Sequence, residues 1–314
     1  MGAGMWVEKY RPQELGDVAG QKEIMGSLGA LLKKVDDMPH LLFSGPAGVG
    51  KTTAALCLAG KVLGERKGEN LLELNASDER GIGMVREKVK KFSKFAGMGD
   101  IPFKIIILDE ADEMTSDAQT ALRRIIEDAS EFCRFIIIAN NVSKIIDPLQ
   151  SRCASFKFQA VDEKEALARL ADIAKKEMAK FDDAGIKAAY TRSDGDMRRS
   201  INLLQTAASM GGITAENIKA SAGLSRTSDV DEILEAALAG KFSAAREKMV
   251  ELIKIHGMSE TDFLKYMCSS ALRMNDARTP EIMSAMAEYD YRLIEGASPE
   301  IQLSAMLARL GTIK

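Results

Sequence analysis

The sequence predicts an α/β domain with a parallel sheet, followed by an all-α half, and three observations support this fold class. Up to about residue 160, short apolar runs rich in β-branched residues alternate with helix-like segments, a pattern typical of a parallel sheet covered by helices. After Val161 the strand-like runs stop, and helical spacing continues with short polar or glycine-containing breaks. With 314 residues, the chain is long enough for two or three domains and a substantial core.

The predicted elements follow from these patterns. In the second half, the apolar residues at positions 230, 233, 234, 237 and 238 recur at helical spacing, and we expect this stripe to form core rather than a partner-binding face. The predicted strands are residues 41–44, 71–75, 104–109, 134–139 and 155–158, the predicted helices are 52–63, 82–95 and 116–128, and the predicted domains are 1–160, 161–226 and 227–314.

Residues 45–52 join the first predicted strand to the first predicted helix and fit the phosphate-binding pattern G-x-x-x-x-G-K-S/T. Glycines in such a loop let successive backbone N–H groups turn toward a phosphate, whereas a glycine-rich turn without a ligand is the alternative. We expect Lys51 to contact the β- and γ-phosphates and Thr52 to ligate Mg²⁺ at the helix start. The predicted nucleotide-binding residues of this segment are Gly45, Pro46, Ala47, Gly48, Val49, Gly50, Lys51, Thr52 and Thr53.

Two acidic residues, Asp109 and Glu110, end the third predicted strand. Because open α/β sheets bind ligands at the carboxyl ends of their strands, we expect Asp109 to hold Mg²⁺ through water. Glu110 is the candidate to orient or deprotonate an attacking water, since the only two histidines, His40 and His256, lie in no motif. A solvated acid at a strand end is the alternative, but the pair favours hydrolysis over nucleotide binding alone.

Composition limits the remaining possibilities. The 43 Lys and Arg against 46 Asp and Glu give a net charge of −3, so contact with DNA must come from a local basic stripe. The four cysteines are far apart, which disfavours zinc sites and disulfides and indicates a reducing compartment. No run of about 18 apolar residues and no leader-like N-terminus are visible, and we expect a cytoplasmic protein.

Five further motifs occur in the order and context of one family. Residues 7–12 (Val-Glu-Lys-Tyr-Arg-Pro), 17–21 (Asp-Val-Ala-Gly-Gln), 74–82 (Leu-Asn-Ala-Ser-Asp-Glu-Arg-Gly-Ile), 151–153 (Ser-Arg-Cys) and 195–199 (Gly-Asp-Met-Arg-Arg) resemble the small subunit of replication factor C, the AAA+ sliding-clamp loader. The resemblance extends over about residues 6 to 226, and beyond that the chain is similar in length and helical character. It implies an AAA+ P-loop domain, a helical lid and an all-α collar that serves in oligomerisation.

The resemblance also implies roles for individual residues. Asn140, at the end of the fourth predicted strand, is similar to the first sensor, and Arg198 is similar to the second sensor, which reaches from the lid to the nucleotide of its own subunit. Arg152 resembles the arginine finger, which acts on the ATP of a neighbouring subunit. The adenine pocket is expected to include Val7, Tyr10, Arg11, Pro12 and Val18.

A candidate DNA-binding row lies on the predicted helix that begins at residue 82. Arg86, Lys90 and Lys94 are spaced four residues apart, so they share one face of this helix. From the pattern alone, a solvated face and a phosphate-binding face are equally good interpretations. The family resemblance favours DNA, with Arg80 either adding to the row or coupling DNA to Glu110.

The predicted function is an ATPase that loads clamps during DNA replication, with ATP and Mg²⁺ as cofactors. Its expected partners are other small subunits, a large subunit, a ring-shaped sliding clamp and primer-template DNA, and its expected location is the cytoplasm at the nucleoid, or the nucleus of a eukaryote. The alternatives are another DNA-associated AAA+ motor, such as a branch-migration helicase or an origin-binding ATPase, and a non-hydrolysing scaffold subunit of a loader.

Overall fold

The structure is a computed structural model that describes residues 4–76, 82–93, 101–221, 226–254, 258–274 and 276–313, with side chains described except at 82–86 and 226–228. The chain divides into two compact units, residues 1–218 and residues 219–314, and each is described by itself.

The first unit contains a five-stranded sheet in which every pair of neighbouring strands is parallel, as predicted. The strand order is β2-β3-β4-β1-β5, so β1 lies between β4 and β5. The last strand begins two residues earlier than expected because its first residue already pairs with the first residue of β1. The strands are β1 (His40–Ser44), β2 (Leu71–Asn75), β3 (Lys104–Asp109), β4 (Cys133–Ala139) and β5 (Cys153–Lys157).

Helices of this unit alternate with the strands along the chain, and its described residues include four more helices after the last strand. Two of the predicted helices match the structure to within one residue at each end. The second helix of the chain was not predicted, because two glycines interrupt its apolar pattern. The helices are α1 (Trp6–Lys9), α2 (Lys22–Leu31), α3 (Lys51–Leu63), α4 (Lys67–Asn70), α5 (Ile82–Ser93), α6 (Ser116–Ala129), α7 (Asp147–Gln150), α8 (Glu163–Lys176), α9 (Asp183–Arg192), α10 (Met197–Ser209) and α11 (Ala215–Ser221).

Apolar side chains pack against both faces of the sheet. Alternate residues of a strand point to opposite faces, so Leu41 and Phe43 join the core on the α3 side while Leu42 joins the core on the α6 side. Burial on both faces explains why the three central strands, β1, β3 and β4, read as nearly continuous apolar runs rather than alternating ones. The loops at the edges of the sheet are therefore attached to strands that are packed on both sides.

Helices α8, α9 and α10 each begin at an aspartate that caps the helix. Asp162, Asp182 and Asp196 accept hydrogen bonds from backbone N–H groups of the first turns, at 3.0, 2.6 and 3.0 Å respectively. The cap at Asp196 fixes the start of α10 and thereby places Arg198 in its first turn. These helices belong to the same compact unit as the sheet, and a domain boundary at residue 160 stays a prediction.

The second unit is formed by five helices around one apolar core, and its described residues include no strand. The predicted core stripe is confirmed: Val230, Ile233 and Leu234 are fully buried, and Leu238 packs against the same core. None of the helices in the described ranges has the length and apolar composition needed to cross a membrane. The helices are α12 (Arg226–Leu238), α13 (Phe242–Lys254), α14 (Glu260–Met274), α15 (Thr279–Ile294) and α16 (Pro299–Leu310).

Candidate nucleotide-binding site

Three neighbouring strands bring Lys51, Glu110 and Asn140 to one edge of the sheet. Strand β4 pairs with both β1 and β3, so the carboxyl ends of these three strands are adjacent. The phosphate loop follows β1, Asn140 follows β4, and Asp109 is the last residue of β3. One pocket at this edge is lined by Lys51, Thr52, Asp109, Glu110, Asn140 and Arg198.

The phosphate loop adopts a conformation that requires glycine at two positions. Gly45 and Gly48 have φ values of +141° and +70°. A Cβ atom on Gly45 would lie 2.3 Å from the Phe158 carbonyl oxygen, and one on Gly48 would lie 1.8 Å from Oδ1 of Asp196. The Met197 N–H also donates to the Gly48 carbonyl at 3.3 Å, so the start of α10 rests directly on the loop.

Lys51 is buried at the base of this loop, with only 6% of its surface exposed. Its Nζ donates to the carbonyls of Gly45 and Pro46, at 2.7 and 2.6 Å, and to Oδ1 of Asn140 at 2.9 Å. Three acceptors match the three donors of an ammonium group, which compensates for the loss of water. Burial lowers the pKa of Lys51, and the Asp109 carboxylate acts against that shift.

Thr52 and Asp109 place two oxygen atoms side by side. The Thr52 hydroxyl donates to Oδ2 of Asp109 at 2.6 Å, and the other oxygen, Oδ1, accepts the Glu110 N–H at 2.8 Å. Hydroxyl and carboxylate oxygens are the hard ligands that Mg²⁺ prefers. The pair therefore fits the predicted metal site.

Glu110 has an unusual backbone conformation, with φ +54° and ψ +37°. A non-glycine residue in this left-handed region is uncommon, and such residues are concentrated at functional sites. Glu110 lines the same pocket as Lys51. Its position suits a group that acts on a water beside the phosphates.

Asp112 has a structural role in the site that the sequence did not reveal. Its side chain is buried, and its two carboxylate oxygens accept the backbone N–H groups of Asn140 and Asn141, each at 3.0 Å. These bonds fix the backbone from which the Asn140 side chain reaches Lys51. The only sequence signal was an acid two residues after Glu110, which reads equally well as a solvated turn residue.

The N-terminal segment forms the other side of the pocket and is held by helices α8 and α10. The Trp6 N–H donates to Oε1 of Gln205 on α10 at 2.9 Å, and Nη2 of Arg169 on α8 donates to the Tyr10 carbonyl at 3.0 Å. All five residues predicted for the adenine pocket line it, as do the predicted Ala47, Gly48, Val49, Gly50 and Thr53. Gly45 and Pro46 are not among the lining residues, but their carbonyls accept hydrogen bonds from Lys51. Lining residues that were not predicted are Asp17, Ala19, Val161, Arg169, Met197 and Ile201.

Arg152 lies at the opposite edge of the sheet from this pocket. It directly precedes β5, whose first residue pairs with His40 at the start of β1, whereas the phosphate loop follows the end of β1. At about 3.3 Å per residue, the two edges are roughly 13 Å apart along the strand. The Arg152 guanidinium donates to the Glu127 carboxylate and, at 2.7 Å, to the Pro148 carbonyl of its own chain. The structure therefore does not bring Arg152 to the nucleotide pocket of the same chain.

Of the predicted DNA-binding residues, Lys90 is exposed on α5. It lines a groove between α5 and α6 together with Arg124. Arg80 and Lys94 lie outside the described residues, and for Arg86 only its place in α5 is described.

Two protein-family profiles match the chain. Residues 41–160 match the ATPase family associated with various cellular activities (AAA), and residues 226–309 match the replication factor C C-terminal domain. Curated relatives named replication factor C small subunit are similar over nearly the whole chain. The relative from Staphylothermus marinus is 46% identical over 310 residues, which are 98% of this chain and 94% of the relative. The relative from Thermofilum pendens is 44% identical over an alignment of 319 positions that covers 100% of this chain and 98% of the relative.

Among solved structures, the chain is similar to the RuvB Holliday junction branch migration motor of Thermotoga maritima. The TM-score is 0.58, the sequence identity is 17%, and the match covers 83% of this chain and 85% of that one. At this identity, the likeness establishes a shared fold only.

Proposed function

We propose that this chain, which belongs to the replication factor C small-subunit family, is a subunit of a sliding-clamp loader that uses ATP to open a ring-shaped clamp and place it on primer-template DNA. The ATPase domain of the AAA family at residues 41–160 supplies the energy-converting part of this activity. Since the named relatives are archaeal, the proposed place of action is the cytoplasm, at the nucleoid.

The observation that carries the proposal is the division of the site between two edges of the sheet. Lys51 and Glu110 line the pocket at the carboxyl edge, whereas Arg152 lies at the amino edge. An arginine finger at that distance serves a different nucleotide from that of its own chain. Head-to-tail contact between subunits places the amino edge of one against the pocket of the next. The proposed assembly therefore contains neighbouring subunits, and membership of the replication factor C family implies that these are further small subunits and a large subunit.

Within each pocket, the residues have distinct proposed roles. The loop N–H groups and Lys51 bind phosphate oxygens, with Lys51 exchanging its present acceptors for them. Thr52 and Asp109 hold Mg²⁺, and Glu110 accepts a proton from the attacking water, which Asn140 orients. When bound, MgATP supplies the phosphoanhydride bond and the cation that offsets phosphate charge. Arg198, whose helix rests on the phosphate loop, links the lid to the occupancy of the pocket.

The two alternative functions are not favoured. The chain is 17% identical to the branch-migration motor but 46% identical, over 98% of its length, to a replication factor C small subunit. A non-hydrolysing scaffold subunit would be expected to have lost some of the residues needed for hydrolysis: the buried lysine, the metal-binding pair or the catalytic acid. Lys51, Thr52, Asp109 and Glu110 are all present there.

For DNA contact, the proposed surface is the basic row on α5. Lys90 is exposed on α5. The groove between α5 and α6 that it lines with Arg124 also contains Asp117 and Asp128, so the proposed contact rests on the basic row of α5 and not on the groove as a whole. The phosphate backbone attracts such a row without regard to base sequence, as loading at many positions requires.

The experiment is ATP turnover by the chain assembled with its cognate large subunit, with and without sliding clamp and primer-template DNA. We expect the clamp and primed DNA to stimulate turnover jointly, and a Lys51→Ala assembly to show no turnover under any condition. Turnover that neither the clamp nor primed DNA changes would contradict the proposal and would favour another kind of AAA+ motor.

A further inference from the structure

Two charged residues of α6, Arg123 and Glu127, lie beside the proposed arginine finger, Arg152. Oε1 of Glu127, in the last turn of α6, accepts a hydrogen bond from Nη2 of Arg152. The same Oε1 lies 3.8 Å from Nε of Arg123, one turn earlier on α6. Two guanidinium groups therefore share a single carboxylate oxygen.

The ion pair between Arg152 and Glu127 is weak enough to be exchanged. The two side chains keep 35% and 39% of their surfaces exposed. Ion pairs in such surroundings are screened by solvent and contribute little to stability. A triphosphate on a neighbouring subunit carries several negative charges and competes well with one half-exposed carboxylate.

Arg123 is ready to replace Arg152 on this carboxylate. Its Nε is buried and has no hydrogen-bond partner in the part of the chain that the structure describes. A buried donor without an acceptor is unfavourable, and 3.8 Å is too long for a hydrogen bond. A small movement of Glu127 toward Arg123 satisfies this donor once Arg152 has left.

We propose that Glu127 is a positioning residue that holds Arg152 on its own subunit, and that Arg123 takes over the Glu127 carboxylate when Arg152 moves to the nucleotide of a neighbouring subunit. The proposal rests on the trans role proposed above for Arg152. Holding the finger competes with its action, so Glu127 restrains hydrolysis in the assembly and Arg123 promotes it.

The test measures ATP turnover, without clamp or DNA, of Glu127→Gln and Arg123→Ala variants assembled with the cognate large subunit. We expect Glu127→Gln to raise turnover about 1.5- to fivefold, the range for an exposed ion pair, and Arg123→Ala to lower it. Asp128→Asn is the matched control, because it removes the same charge from the adjacent exposed position and should leave turnover unchanged. If Glu127→Gln does not fold, Glu127→Asp keeps the charge, shortens the reach and should raise turnover less.

A double-variant comparison separates this inference from the proposed function. In an Arg152→Ala background, Glu127→Gln should have no further effect on turnover, because no finger remains to be held. A normal rate for Arg152→Ala alone would overturn both the trans role and the holding role. A slow Arg152→Ala assembly, with unchanged or reduced turnover for Glu127→Gln, would overturn the holding role alone. An equal rise for Asp128→Asn would show a general charge effect and would also overturn it.

Discussion

The two edges of the sheet hold their functional groups in different ways. At the carboxyl edge, Lys51 has three hydrogen bonds and Asp112 fixes two consecutive backbone amides. At the amino edge, Arg152 is half-exposed and shares its one carboxylate with Arg123. Lys51, which is proposed to bind the nucleotide of its own chain, is therefore fixed by several buried hydrogen bonds. Arg152, which is proposed to act on another chain, is held by the Glu127 carboxylate and the Pro148 carbonyl, two exposed contacts that water and competing charges can replace.

Removal of the Arg152 guanidinium should have the largest effect on the hydrolysis rate. A normal rate without it would contradict the proposed difference between the two edges. Arg152→Ala should lower the hydrolysis rate of the assembly by about 10³–10⁵-fold, the range for an arginine finger. ATP binding by the isolated chain should not change, because Arg152 lies outside its pocket. Single-turnover hydrolysis and nucleotide titration measure the two quantities. Weakened binding in the isolated chain would mean that Arg152 acts on its own pocket.

Glu110→Gln should produce the next largest effect, confined to the carboxyl edge. The amide cannot accept the proton of the attacking water, and we expect turnover to fall by about 10²–10⁴-fold while ATP affinity is retained. Glu113→Gln is a matched control, since Glu113 is exposed and paired with Lys144 outside the pocket. An equal loss of ATP affinity in Glu110→Gln would argue for a binding role instead.

At the amino edge, His40 should make stability depend on pH. Burial, and secondarily Arg134, lower the pKa of His40 from 6.5 to about 4. Between these values the unfolded chain binds a proton that the folded chain does not, so the free energy of unfolding should fall by up to about 3 kcal/mol as the pH drops from 6.5 to 4.

His40→Asn provides the control for this effect. The side-chain oxygen of Asn can replace Nδ1 as the acceptor of the Phe135 N–H, which lies 3.1 Å away, but it does not titrate. Denaturant unfolding across this pH range should therefore show a shallower slope in the variant. Identical slopes in parent and variant would rule out His40 as the cause.

Disturbing the contact between α10 and the phosphate loop should have a smaller effect. Gly48→Ala places a methyl group against the Asp196 carboxylate at a positive φ, and the strain should cost about 1–3 kcal/mol in the free energy of unfolding and weaken ATP binding. Adding Asp196→Ser, which retains a capping hydroxyl, should recover part of the loss. Gly60→Ala, in open space within α3, should be neutral or stabilising. No recovery in the double variant would place the defect in the loop alone.

Most of the carboxyl edge could be predicted from sequence because its chemistry is encoded locally. The loop at residues 45–52 and the acids at Asp109 and Glu110 follow strands whose apolar runs are recognisable by themselves. Asp112 and Arg169 could not be assigned because their partners, the Asn140 amide and the Tyr10 carbonyl, lie 28 and 159 residues away.

The amino edge was harder to predict for the same reason. Arg152 was recognised by resemblance, but its pairing with Glu127 joins residues 25 positions apart on α6 and before β5. The unpaired Nε of Arg123 results from the packing of α6, and no sequence pattern indicates it. Local pattern therefore predicts which groups bind nucleotide, whereas tertiary packing determines how firmly each group is held.

Complementation between two inactive chains tests the composite site most directly. Glu110→Gln retains the finger and Arg152→Ala retains the catalytic acid, so a mixed assembly contains interfaces with both intact halves. Random mixing in equal amounts should restore about one interface in four, and with it a corresponding fraction of parental ATP hydrolysis. Each variant assembled alone should remain inactive. A mixture no more active than its components would contradict the claim that the finger of one chain completes the pocket of another.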